Sequence, residues 1–368
     1  MRIVAAASRV VSWPIASRGA ARGRTERAAV LLELTAVRST LDDPELILER
    51  LPRPARLVGL GEAAPLPGMS IDALADAAHD LAELARRVPF ELSDTDEASV
   101  FAAGAARAPS ARFAIETALF DLLAREHDRS IAQLFTPRLR AVPLSAVVDT
   151  ADEAARAVAA GMRSLKLKLG ADDDLERVAQ IAAAAPGVRL RIDGNGTWRR
   201  RDVADRLAQL AQLPIDYVEE PCGASHELLD EPLACKLALD ESLTGLLMSE
   251  LRPALASPAL AAVVLKPTLL GGLTPALVIA QLARASGVAA VVSHALEGPI
   301  GTAACAELAL VLGGDVAVGL APHGGLTGWR LAVPQLAADR VQPASYPGLG
   351  FLGLDLAGAL AACPGAPR

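Results

Sequence analysis

The chain has 368 residues, a formal net charge of −7 and a pI near 5.4. Apolar residues make up 52% and charged residues 21%, which is typical of a globular protein and argues against a disordered chain. The acidic balance, without a long Lys/Arg cluster to offset it, argues against nucleic acid as a partner.

Cysteine usage and hydropathy indicate the compartment. The four cysteines are scattered without the close-pair spacing of a metal site, as expected for reduced thiols in the cytosol. The first 14 residues lack the sustained apolar segment of a signal peptide, and no uninterrupted apolar run reaches membrane length. We therefore expect a cytoplasmic protein without a membrane partner.

Residues 1–138 predict strands followed by helices, which is typical of a separate α+β domain. Val30–Thr35 is a strand candidate. Helices are predicted from Ser70, with Ser70 as the N-cap, over Asp96–Ala106, and from Pro109 onward. The Gly- and Arg-rich segment 17–27 predicts a mobile loop.

Residues 139–325 alternate between short apolar runs and Ala/Leu-rich helical stretches, in units of about 25 residues. The predicted strands are centred near Leu144, Leu167, Ile192, Val218, Leu239, Val264, Val292 and Val318. Eight such units predict a parallel β/α barrel. A doubly wound open sheet would also alternate, but it gives no reason for a charged residue at the end of strand after strand. Residues 326–368 are predicted to pack back against the N-terminal domain.

Charged residues stand where successive predicted strands end. Lys166 and Lys168 alternate with leucines, so on a strand both ammonium groups point to one face. The following strand ends carry, in order, Asp193, the pair Glu219-Glu220, the pair Asp240-Glu241, and Lys266. In a barrel these ends converge on one mouth, where active sites form.

Three carboxylates at one mouth repel each other unless a hard cation lies between them, and Mg²⁺, with Mn²⁺ as an alternative, takes such oxygen ligands. Lys168 and Lys266 would flank that metal. A lysine close to other cations has a depressed pKa and can act as a general base near neutral pH. The reaction class implied is removal of a proton next to a carboxylate, with the metal stabilising the developing enediolate.

Several alternatives stay open at this point. Any single acid at a strand end is commonly a helix cap or a solvated loop residue. The sequence does not decide which member of each acidic pair faces the metal. His294 and His323 lie near strand ends without a nucleophile or histidine partner nearby in sequence, and both are interpreted as structural. A barrel retained as a non-catalytic scaffold is the rival from another class.

The order of these motifs resembles the enolase superfamily, muconate-lactonising subgroup. The residues that carry the resemblance are Lys-x-Lys at 166–168, Asp-x-Asn at 193–195, Glu-Glu-Pro at 219–221, Asp-Glu-Ser at 240–242 and Lys-Pro-Thr at 266–268. Within the subgroup, segments 61–68 and 265–272 are most similar to the o-succinylbenzoate synthase family of menaquinone biosynthesis. The resemblance implies a modified TIM-type (β/α)7β barrel with an N-terminal α+β capping domain.

The resemblance also implies roles for individual residues. Lys168 would be the base, with Lys166 supporting it and Lys266 opposite it. The metal ligands would be Asp193, Glu219 and Asp240. The substrate-adjacent positions would be Arg191, Asn195, Ser293 and Gly319. The loop near 17–27 would close over the site.

The reaction implied is Mg²⁺-dependent syn-dehydration of 2-succinyl-6-hydroxy-2,4-cyclohexadiene-1-carboxylate, a small-molecule carboxylate. An N-acylamino acid racemase or a muconate-type cycloisomerase of the same superfamily is the alternative. The chain departs from the pattern of some members because Gly298-Pro299 follows Glu297 without a serine-rich run. It also lacks the Asp-x-Asp of dipeptide epimerases at the eighth strand. Oligomeric state is left open.

Overall fold

The computed structural model describes residues 1–15, 25–38, 56–170 and 175–364. Most of the predicted loop at 17–27 lies outside these residues, so its mobility stays a prediction. Within the described residues, no helix is both long enough and apolar enough to cross a membrane.

The N-terminal part is an antiparallel sheet covered by helices. Its strands are β1 (Arg2–Pro14), β2 (Glu26–Val37), β3 (Arg56–Ala63) and β4 (Phe90–Glu91), in the spatial order β3-β2-β1-β4. Its helices are α1 (Leu74–Leu84), α2 (Thr95–Ala105), α3 (Pro109–Glu126) and α4 (Ala132–Phe135). Helix α3 is almost wholly buried and packs directly on β3.

Two glycines allow that close packing. A Cβ atom at Gly61 would lie 2.0 Å from the carbonyl oxygen of Ala114, and one at Gly59 would lie 2.2 Å from that of Ala118. Both distances are far below van der Waals contact, so only glycine lets the backbone of α3 approach the sheet this closely.

The second part is a parallel barrel. After β5 (Val142–Pro143), which pairs outside the barrel sheet, its strands are β6 (Ala146–Val147), β7 (Ser164–Lys168), β8 (Arg189–Asp193), β9 (Ile215–Glu219), β10 (Leu237–Leu239), β11 (Leu260–Leu265) and β12 (Ala289–Val292). Strands β6 to β12 form one sheet in sequence order. Val318 and Gly319 form an eighth segment between the two edges of this sheet. Isolated parallel bridges join Val318 to Leu144 and Gly319 to Ser293. The fold prediction, a modified barrel with a capping domain, is confirmed.

Helices pack around the strands. They are α5 (Ala151–Ala159), α6 (Leu175–Ala184), α7 (Val203–Leu210), α8 (Glu241–Thr244), α9 (Met248–Ala256), α10 (Pro267–Leu270), α11 (Leu273–Ala285) and α12 (Pro299–Leu312). After the barrel, β13 (Arg340–Val341) pairs with β5, and α13 (Leu356–Ala362) contacts β2. The ring of Trp13 also packs edge-on against that of Trp329, at 5.2 Å between centroids, so the C-terminal segment touches the N-terminal sheet.

The predicted N-cap of α1 is wrong. The helix begins at Leu74, four residues after Ser70, and the Ser70 hydroxyl instead accepts a hydrogen bond from the Leu66 backbone N–H at 2.7 Å. The Asp76 carboxylate accepts from the Ala73 N–H at 2.8 Å and satisfies the first turn. A local turn hydrogen bond therefore outcompetes the helix for Ser70.

Buried carboxylates join the two parts. Glu62 on β3 accepts from the N–H groups of Gly298 and Gly301 at the start of α12, at 2.5 and 2.8 Å. Glu116 on α3 accepts from Leu273 and Thr274 at the start of α11. Acids at helix N-termini complement unpaired N–H groups and the helix dipole. The cap is thus held to the barrel helices by specific hydrogen bonds as well as by packing.

We expect Glu62 to make the protein less stable as pH rises from about 5 to 7.5. Burial raises the pKa of Glu62 from 4.5 to about 7, so across this range the folded state keeps a proton that the unfolded state has lost. The free energy of unfolding then falls by roughly 3 kcal/mol in total. Urea unfolding of the wild type and Glu62→Gln at several pH values checks this. The variant should show a flatter pH profile, and an unchanged slope would contradict the assignment.

Candidate active site

Strand register brings the predicted acids together. In the parallel pairing, Lys168 on β7 lies beside Asp193 on β8, and Asp193 lies beside Glu219 on β9. Glu219 pairs with Ala238 on β10, two residues before Asp240. Asp240 directly follows β10, at the same rim of the sheet. The three acids are at most 3% exposed.

Three lysines contact these acids. The Lys166 ammonium donates to Glu219 at 2.7 Å and lies 2.9 Å from an Asp193 oxygen. Lys168 Nζ lies 3.5 Å from Asp193. Lys266 Nζ donates to an Asp240 oxygen at 2.5 Å. Lys166 and Lys168 are on the second strand of the barrel and Lys266 follows the sixth, so they face each other across the mouth.

The structure shows which member of each acidic pair faces the lysines. Glu219 contacts Lys166, whereas Glu220 turns away and accepts from the N–H groups of Asp240 and Ser242. Asp240 contacts Lys266, whereas Glu241 begins α8 and lines a separate cavity. Glu220 has a φ of +38°, the local kink that separates the directions of the two glutamates.

The three lysines differ in the direction in which their surroundings shift the pKa. Burial lowers the pKa of Lys168, and the neighbouring ammonium groups of Lys166 and Lys266 reinforce this against the attraction of Asp193. Burial also disfavours the charged form of Lys266, but Asp240 and Glu241 outweigh it and raise its pKa. Asp193 and Glu219 likewise hold the pKa of Lys166 well above its ordinary value. Lys168 is therefore the lysine best able to accept a proton.

A cavity of about 740 Å³ opens above this cluster. Asn195, Ser293 and Gly319 line it, and Asn195 Oδ1 accepts from Lys168 at 3.2 Å. Arg191 does not line it. Its guanidinium lies one layer deeper in the barrel, donates to the Ala317 carbonyl at 2.6 Å and stacks over Tyr217. We therefore do not retain Arg191 as a substrate-binding residue.

Sequence reasoning set aside two histidines that the fold brings to the cavity. His294 and His323, 29 positions apart, line it with their rings stacked at 3.7 Å between centroids. Each follows a predicted strand end, which is the one signal that could have paired them. The buried Arg27 lies behind this wall and donates to the carbonyl oxygens of Ala295 and Leu296.

The donor set of the strand ends fits a divalent cation. Buried carboxylates without enough positive charge are unstable, and burial with the neighbouring acids raises the pKa of Glu219 despite Lys166. No three acidic side chains among the described residues lie as close together as metal ligands do; the ammonium groups of Lys166 and Lys266 lie against them instead. These contacts show that cations are favoured at this point.

Family models match both parts of the chain. Residues 28–136 match the mandelate racemase / muconate lactonizing enzyme N-terminal domain, and residues 149–352 match the enolase C-terminal domain-like family. The chain belongs to the enolase superfamily.

Relatives within the superfamily differ in reaction. An o-succinylbenzoate synthase from Desulfotalea psychrophila is 29% identical over 290 residues, which is 68% of this chain and 78% of that protein. An N-succinylamino acid racemase from Thermus thermophilus is 30% identical over 223 residues, which is 56% of this chain and 60% of that protein. A dipeptide epimerase from Methylococcus capsulatus, solved with Mg and the dipeptide L-Arg-D-Lys, superposes with a TM-score of 0.77 at 25% identity, covering 95% of this chain and 99% of that one.

Proposed function

We propose that this chain is an o-succinylbenzoate synthase that removes water from 2-succinyl-6-hydroxy-2,4-cyclohexadiene-1-carboxylate. The observation that carries the proposal is the placement of Lys168 and Lys266 on opposite sides of one mouth, with Lys168 Nζ 3.5 Å from Asp193 and Lys266 Nζ 2.5 Å from Asp240. A proton acceptor on one side and a fixed positive charge on the other suit removal of a proton next to a carboxylate. The Desulfotalea relative, which matches 68% of this chain, favours dehydration as the outcome.

We assign Mg²⁺ to Asp193, Glu219 and Asp240, whose oxygen atoms suit a hard cation. Once bound, the ion would offset the negative charge that develops on the substrate carboxylate. The Mg in the Methylococcus epimerase supports the choice of ion.

Each side chain then has one task. Lys168 Nζ takes the proton from the carbon next to the carboxylate. The ammonium of Lys266 lies on the other face and attracts the electrons left behind. Lys168 returns its proton to the departing hydroxyl group, which leaves as water from the same face. Lys166 stays protonated between Asp193 and Glu219, and its charge adds to the burial that lowers the pKa of Lys168.

N-succinylamino acid racemase is the second candidate because the Thermus relative has that activity. It would use the same lysines, one on each face of the α-carbon. A dipeptide epimerase is less favoured because Gly319, Ala321 and Pro322, which line the cavity at the eighth segment, offer no carboxylate to a substrate ammonium.

Direct assay separates these activities. The cyclohexadiene substrate, N-succinyl amino acids and free dipeptides are supplied in parallel with Mg²⁺, and kcat/KM is measured for each. The proposal predicts the highest value for dehydration, followed by absorbance as the aromatic ring forms. A higher value for racemisation or epimerisation would refute it.

A further inference from the structure

The cavity wall beyond the lysines combines apolar surface with polar side chains, among them Ser145, Arg156, Asn195, Ser293, His294 and His323. Leu66, Met69, Val147, Val148 and Met162 supply apolar surface. Outside the strand-end cluster, the carboxylates among the described lining residues are Asp149 and Glu153. Asp149 lies 3.8 Å from the Arg177 guanidinium, and Glu153 accepts from the Asp149 N–H. Polar groups on this wall that are aimed at the substrate orient it and contribute to selectivity.

Backbone hydrogen bonds fix the tautomers of the stacked histidines. The Leu296 N–H donates to His294 Nδ1 at 3.2 Å, and the Gly325 N–H donates to His323 Nδ1 at 3.2 Å. A ring nitrogen that accepts carries no proton, so in each neutral ring the proton is on Nε2. His323 Nε2 then donates to Thr302 Oγ1 at 3.2 Å.

Both rings are neutral near pH 7. Burial holds the pKa of His294 well below its ordinary value, with His323 and the lysines adding to the effect. Burial lowers the pKa of His323 to about 3. The two ring planes are 20° from parallel, and this stacked arrangement suits two uncharged imidazoles.

His294 Nε2–H is left as a donor on the cavity wall. Within the described parts of the chain, no protein group accepts a hydrogen bond from it. The ring cannot easily turn, because His323 stacks on one face and Leu296 N–H holds Nδ1. The next two carbonyl groups, of Ala295 and Leu296, are held by Arg27 at 3.0 and 3.1 Å. Arg27 also donates to Pro65 at 2.7 Å, which ties this loop to the capping domain.

We propose that His294 determines specificity by donating its Nε2–H to an acceptor oxygen on the acyl arm of the substrate, so that the site selects a succinyl substituent over an ammonium-bearing one. The inference rests on the proposed function, since that function supplies a substrate with such an arm. The arm offers two acceptors, the ketone oxygen and the terminal carboxylate. A neutral donor suits either, whereas an ammonium group has no lone pair to offer it.

Binding of three ligands tests the proposal without depending on turnover. o-Succinylbenzoate has both acceptors, 2-butyrylbenzoate has only the ketone, and benzoate has no arm. Calorimetric titrations with Mg²⁺ present compare the wild type with His294→Phe, which keeps a stacking ring but no donor, and with His294→Gln, which keeps an N–H donor. His294→Met is a second donor-free variant of smaller volume, and circular dichroism checks that each variant folds.

We expect His294→Phe and His294→Met to weaken o-succinylbenzoate binding by about tenfold or more and benzoate binding by less than about twofold. His294→Gln should recover most of the loss. A loss shared with 2-butyrylbenzoate assigns the ketone, and a loss confined to o-succinylbenzoate assigns the carboxylate. Equal weakening of all three ligands, or no weakening of the succinyl ligand, would overturn the proposal.

The two proposals can fail separately. If the wild type racemises N-succinyl amino acids and does not dehydrate, the proposed function fails. N-succinylglycine and N-butyrylglycine then replace o-succinylbenzoate and 2-butyrylbenzoate, and the His294 variants are judged by the same changes in affinity. A wild type that binds the succinyl ligands no more tightly than their arm-free counterparts would refute the role of His294.

Discussion

Replacing Lys168 by Ala should lower kcat for dehydration by about 1,000-fold or more while the protein still folds and binds Mg²⁺. General acid–base catalysis contributes roughly 100- to 10,000-fold to enzyme rates, and Lys168 both takes and returns the proton. The metal-binding acids are untouched, so the Mg²⁺-induced rise in melting temperature should persist. Stopped-flow assay of the purified variant measures the rate, and thermal unfolding with and without Mg²⁺ measures binding.

The chain supplies a matched control for this substitution. It contains four lysines, of which Lys166, Lys168 and Lys266 lie at the barrel mouth, and the fourth, Lys236, is exposed. Lys236→Ala removes the same side chain and should leave kcat within about twofold, as expected for a surface substitution. Turnover by Lys168→Ala close to that of Lys236→Ala would remove Lys168 from the role of base.

Replacing Glu219 by Gln should weaken Mg²⁺ binding by at least roughly 100-fold, more than the 10- to 100-fold typical of residues that only support a ligand. The substitution keeps the size of the side chain and removes one of three negative charges. It also leaves Lys166 with Asp193 as its remaining acidic contact. Calorimetric titration with Mg²⁺ gives the affinity directly, and activity should fall in parallel.

The neighbouring glutamate is the control. Glu220 is as buried as Glu219, at 1% exposure, but its Oε2 accepts from both Asp240 N–H at 3.0 Å and Ser242 N–H at 3.1 Å. Glu220→Gln keeps one carbonyl oxygen for these two N–H groups and replaces Oε1, which accepts from the Ser242 hydroxyl, by an amide, so it should lower stability and change Mg²⁺ affinity by less than about tenfold. If both substitutions weakened Mg²⁺ binding equally, the assignment of Glu219 as a ligand would fail.

Much of the fold follows from short-range pattern. Buried parallel strands read as apolar runs, and the helical stretches between them have their own periodicity, so the alternation is visible residue by residue. The strand centred on Leu167, for example, is β7, Ser164–Lys168. The charged residues at the strand ends are then expected to meet, because the strands of a parallel barrel end at one rim.

The choice within each acidic pair needs the backbone. Glu219 and Glu220 differ in direction because of a positive φ at Glu220, and Asp240 and Glu241 differ because α8 begins between them. The positive φ has no local sequence signal, because glutamate is not a residue that favours it. Arg191 is a different case. It lies two residues before Asp193 on the same strand, so it shares that face and sits about 6.6 Å deeper, in a layer that strand geometry predicts.

Contacts between distant segments were the least predictable. Glu62 meets Gly298 and Gly301 across more than 230 positions, and the His294–His323 stack requires two separate loops to meet. Such contacts depend on closure of the barrel and docking of the cap, which no window of neighbouring residues encodes.

A crystal structure with Mg²⁺ and o-succinylbenzoate tests the central claim most directly. We expect one ion about 2.1 Å from oxygens of Asp193, Glu219 and Asp240, with the ligand between the amino groups of Lys168 and Lys266. An ion held elsewhere, or a ligand lying with both amino groups on the same side of it, would contradict the account.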